Sequence, residues 1–86
     1  MSASIANVRQ VLAHVVAELP RGPVQQAIHI LDERIAQVTA ALDGSSDDSA
    51  RSAILGRLMA DREALTGVQQ GFSMAADAIE QYAGRL

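Results

Sequence analysis

Five bulky apolar residues, Leu58, Leu65, Phe72, Ile79 and Leu86, recur at seven-residue intervals through the last third of the chain. A seven-residue apolar period marks a helix that buries one seam along its whole length against another helix. Ile54, Val68, Ala75 and Tyr82 interleave with them and are expected to complete the seam, with Asp61 as the polar member of that second row. The pattern predicts one helix over about 48–83, roughly 50 Å long at 1.5 Å per residue. A row of small residues, Ala64, Gly71 and Ala78, runs beside the seam. Gly56, Gly67 and Gly71 all fall inside this helix, each at a cost of about 1 kcal/mol relative to Ala. Close approach of a neighbouring helix would explain the row; a kink near Thr66-Gly67 is the alternative.

The first half reads as two shorter helices, over about 4–19 and 23–42. Ile5, Val8, Leu12, Val15 and Leu19 step by three and four, and Val11 and Val16 widen the stripe, so this helix is expected to be covered from two sides. Ser2 or Ser4 can cap its start. Pro20 disfavours helical geometry at Leu19, and Pro23 suits the first position of a new helix, where a missing N–H costs nothing. Val24, Ile28, Leu31, Ile35, Val38 and Leu42 then form a second stripe. It ends at Asp43-Gly44-Ser45-Ser46-Asp47-Asp48, where Gly44 can close one helix and a Ser or Asp can cap the next.

These lengths match. Laid end to end, the first two helices equal the third, so the arrangement that buries most apolar surface is a long antiparallel hairpin whose first arm is broken at Pro20–Pro23. The expected fold is thus all-α, a single domain over residues 1–86. A compact three-helix bundle is the alternative, and it would leave one end of the third helix bare unless a second subunit covered it.

Composition narrows the function classes. Apolar residues make up 49% of the chain, but only Phe72 and Tyr82 are aromatic, a mixture suited to helix packing. The net charge of −3, with seven scattered arginines and no lysine, argues against a nucleic-acid partner. No apolar run approaches the roughly 18 residues of a membrane span. The expected location is the cytoplasm, or outside the cell by a route that needs no cleaved signal. Cysteine is absent, which excludes disulfides and thiolate metal sites.

Chemistry-bearing residues are sparse. His14 and His29 could join Asp32 or Glu33 in a metal site, but exposed histidines on polar helix faces are the simpler reading. Asp61 either pairs with Arg57 one turn earlier or fixes register as a buried polar residue. No phosphate loop, nucleophile elbow or HExxH pattern occurs, so no catalytic residue, cofactor or metal is expected. Ile30, Leu55, Met59 and Met74 sit off the main seam and, with Val16, offer more apolar surface than a slim hairpin covers.

Leu19-Pro20-x-Gly22, the Ala27-x-x-x-Leu31 helix, Leu42-Asp43-Gly44-Ser45-Ser46 and the closing Tyr82-x-x-x-Leu86 together resemble the short helical N-terminal domains of actinobacterial polymorphic toxins. The resemblance spans nearly the whole chain and implies delivery or docking, with toxicity carried by a downstream domain. More broadly, the chain is similar to the small helical-hairpin proteins of type VII secretion. Leu42-Asp43-Gly44 stands where those carry Trp-x-Gly, and Leu86 stands where an acid follows their tyrosine. The expected function is a non-catalytic protein–protein docking module, with Ile30, Leu55, Met59, Met74 and Tyr82 as its contact residues. A structural homodimer, a four- or six-helix scaffold, is the alternative.

Overall fold

The computed structural model describes residues 4–44 and 46–86. It contains three helices, α1 (Ile5–Glu18), α2 (Arg21–Leu42) and α3 (Asp48–Gly84), and no strand among the described residues. Both α1 and α2 pack on α3 and not on each other, so the broken arm lies end to end along the long helix. The result is the hairpin, not the compact bundle. It is a rod of 69 × 19 × 16 Å with a radius of gyration of 20.0 Å, where a compact chain of this length would have about 12 Å.

Local signals set the helix ends. Ser4 caps α1, its Oγ accepting from the Asn7 amide at 3.0 Å; Ser2 lies outside the described residues. Leu19 is held extended by the following proline, and α2 begins at Arg21 with Pro20 as its cap residue. Pro23 therefore occupies the third position of α2, not the first, and still sits where an amide has no intrahelical acceptor. Gly44 has φ of 81°, the left-handed geometry that glycine adopts without strain. The Asp47 carboxylate accepts from the Ala50 amide at 2.9 Å and caps α3. From there α3 runs unbroken for 37 residues through Thr66 and Gly67.

The seam differs from the expected one on α3. Leu58, Leu65, Phe72, Ile79 and Leu86 are at least half-buried, but their interleaved partners are Leu55, Arg62, Gln69, Ala76 and Ala83. Ile54, Val68, Ala75 and Tyr82 are exposed. Both rows make a perfect heptad with the first, so the period alone cannot choose between them. The arms choose. Arg62 and Gln69 reach polar groups on α2, and Ala76, the most buried residue of α3, is small enough for the broken arm to come close.

On α2 every expected stripe residue is at least half-buried, with Ile28 the deepest. Helix α1 fares differently. Val8, Leu12, Val16 and Leu19 face α3, while Ile5, Val11 and Val15 are exposed and no residue of α1 is buried. It is covered from one side only. The small row Ala64, Gly71 and Ala78 is also exposed, and a Cβ added at Gly71 would meet nothing within 4 Å. No helix of this chain approaches it.

Candidate interaction surface

The two flanks of the hairpin have opposite character. On one, polar side chains tie α2 to α3. Arg62 binds Asp32 side-on through one guanidinium edge, its Nε donating to Oδ1 and its Nη2 to Oδ2 at 3.2 Å. The hydrogen bond from Arg62 holds the Asp32 carboxyl below its ordinary value of 3.8, and the same contact raises the Arg62 pKa. Seven residues along, the Gln69 amide nitrogen donates to Gln25 Oε1 at 3.1 Å and to the Arg21 carbonyl at 3.3 Å. Gln69 Oε1 is buried without a partner. An open groove of about 800 Å³ runs along this flank, lined by Asp32, Ile35, Gly56, Met59, Ala60, Arg62, Glu63 and Thr66. A smaller one of about 250 Å³, walled by Arg9, Leu12, Val16 and Ile79 among others, lies between α1 and the end of α3.

The other flank is apolar. Ile54, Val68, Ala75 and Tyr82 of α3 each precede a seam residue by one position, about 100° round the helix. Ala27, Arg34 and Ala41 hold the same relation to Ile28, Ile35 and Leu42 on α2, as do Val11 and Val15 to Leu12 and Val16 on α1. Equivalent flanks of antiparallel helices lie side by side, so these rows form one strip along the rod. Asp61 is half-exposed within it and pairs with Arg57 at 3.4 Å, as one of its two expected roles required.

Of the five expected contact residues, the structure brings few together. Leu55 is half-buried in the seam, and Met59 lies one turn on in the groove. Met74 points away from both arms and is 72% exposed. Ile30 is exposed on the outer side of α2. Tyr82 belongs to the apolar strip, with the Arg85 guanidinium 6.0 Å from its ring centroid, the outer limit for a cation–π contact. The α3 members of this strip are the residues that the heptad pattern alone places in the seam.

His29 pairs with Glu33 at 3.2 Å on the α2 surface. Among the described residues no three metal-binding side chains converge, and no helix is long and apolar enough to cross a membrane. Compared with family models, curated proteins and solved structures, the chain matches none of them.

Proposed function

We propose that this chain is a non-catalytic helical interaction module whose fold is completed by a protein partner. One observation carries the reading: the surface is too large for the mass. The chain exposes 6245 Å² at 9.1 kDa, where a compact monomer of that mass would expose about 4,900 Å². Among the described residues Ile28 and Ala76 are the buried apolar ones, and no side chain there is fully enclosed. Exposed large apolar residues instead line the rod from Ile5 to Tyr82. A docking or adaptor role in export or toxin delivery, with passage out of the cell without a cleaved signal, fits the resemblance of the sequence to such helical domains. A homo-oligomeric scaffold is the second reading, favoured by the strip's continuity along the whole rod.

The test is the denaturant midpoint of the isolated chain, measured across a wide range of protein concentration. A module completed by association unfolds at a midpoint that rises with concentration, or is partly unfolded alone and gains helicity when its partner is added. A stable monomer with a concentration-independent midpoint overturns the reading.

A further inference from the structure

We infer that the partner on the apolar flank is a second copy of this chain, packed about a two-fold axis parallel to the rod. The inference rests on the interaction-module reading and names its partner.

Area comes first. The excess over a compact monomer is roughly 1,300 Å² per chain, so a pair that removed it would bury about 2,600 Å², within the range of obligate homodimers. The strip is long enough to supply it, since Ile54, Val68 and Tyr82 are 45%, 44% and 50% exposed and span most of α3.

Register comes next. Asp32 meets Arg62 and Gln25 meets Gln69, so the helices keep one alignment over seven residues in opposite directions. That alignment places Ala41 level with Ile54, Arg34 level with Asp61, and Ala27 level with Val68. The α2 row is therefore small, cationic, small where the α3 row is large, anionic, large.

A two-fold axis along the rod lays the α3 row of one chain on the α2 row of the other. Ile54 then packs on Ala41 of the partner subunit, and Val68 on Ala27 of the partner subunit. The Asp61 carboxylate faces the guanidinium of the partner subunit's Arg34, which within one chain donates to its own neighbour Gln37. The axis perpendicular to the rod, centred on Val68, is the competing symmetry. It would set Asp61 against an alanine, leaving the carboxylate with Arg57 of its own chain and no cation across the interface, whereas the parallel axis adds one. In a self-complementary interface each contact occurs twice, so a matched charge pair counts double and so does a mismatched one.

Because cysteine is absent from the chain, single cysteines report contacts cleanly. Two chains, one Val68→Cys and the other Ala27→Cys, are mixed and oxidised, alongside each variant alone. The expected result is a cross-linked species of twice 9.1 kDa in the mixture and little in either variant alone. In parallel, light scattering on Asp61→Arg should show monomer, and adding Arg34→Asp should restore the dimer, with helicity followed by circular dichroism. Cross-linking of the Val68→Cys variant with itself overturns the parallel axis while leaving the module reading in place. A monomeric wild-type chain that is poorly helical alone overturns the second copy and leaves the reading with another partner. A stable monomer overturns both.

Discussion

Helices α1 and α2 lie on the same face of α3, yet they are held to it differently. The stretch under α2 carries the Asp32–Arg62 pair, the Gln25–Gln69 bond and buried Ile28. Under α1 no cross-helix side-chain bond is seen among the described residues; the contact rests on apolar residues such as Leu12 and Val16 beside Ile79 and Ala83. Ile5 has nothing to rest on, because on the α2 register it falls beyond Leu86. The physical lesson is that a heptad seam of one helix can be covered unequally. The α2 half has specificity and depth; the α1 half has apolar contact alone, and is expected to open first. Amide exchange should show α1 losing protection well before α2.

The sharpest way to break this comparison is to cut equivalent aliphatic residues from each arm. Ile28→Ala removes the deepest side chain of α2 and should cost about 3 kcal/mol, enough to unfold most of the hairpin. Leu12→Ala removes a half-buried one from α1 and should cost about half as much, by partial exposure. Urea titrations followed by circular dichroism measure both. Equal losses would mean that the two arms form one cooperative unit.

Gln69→Leu sharpens the comparison from the other side. Gln69 occupies a seam position, leaves its own Oε1 buried without a partner, and binds two groups on α2 that water can reach. Replacing it with an aliphatic side chain should stabilise the chain by about 1 kcal/mol. The register between α2 and α3 should loosen in exchange, because Asp32–Arg62 would be the one side-chain polar tie left between them among the described residues. A rise in the urea midpoint with faster exchange around Gln25 is the expected pair of results. A fall in the midpoint would show that the Gln69 bonds outweigh the orphaned acceptor.

Most of this architecture was legible in the residues. Ser4, Gly44 and Asp47 are local signals, and the helix ends they imply are the observed ones within a residue or two. The α2 stripe was legible because Val24 through Leu42 offers one apolar row and no rival. On α3 two rows compete, and only the groups across the seam decide between Ile54-Val68-Tyr82 and Leu55-Arg62-Gln69. Nothing local to α3 carries that information. The same ambiguity hid the interaction surface: a row placed in the core cannot also be read as a flank. Val15 and Val16 exchanged roles on α1 for the same reason. Being adjacent, both were compatible with the stripe, and the direction of α3 chose Val16.

The glycines of α3 give a smaller effect with a clear sign. A Cβ at Gly71 would meet nothing within 4 Å, and its φ is ordinary for a helix. Gly71→Ala should therefore stabilise the isolated chain by about 0.7 kcal/mol through lower entropy of the unfolded state. Thermal unfolding reads it directly. If the substitution instead lowers the midpoint of the assembled protein, the Ala64–Gly71–Ala78 row is a site of close approach by a partner.

The smallest expected effect falls on the α2 half alone. Asp32 holds its proton less tightly in the folded chain than its ordinary value of 3.8, because Arg62 donates a hydrogen bond to its ionised form. A carboxyl whose folded pKa is depressed adds stability above the unfolded value, and that stability is lost as pH falls through the folded value. The urea midpoint should thus fall as the solution is acidified below about 4, beyond the fall caused by other carboxylates. In Asp32→Asn this extra component should vanish, so the two curves converge in acid and diverge toward neutral pH. Both side chains are partly exposed, so the divergence should be small and should shrink in salt. Amide exchange locates it: protection should drop around Asp32 and Arg62 while α1, already the looser arm, stays unchanged. A matching drop in α1 would mean that the ion pair governs the whole rod, and the inequality between its halves would disappear.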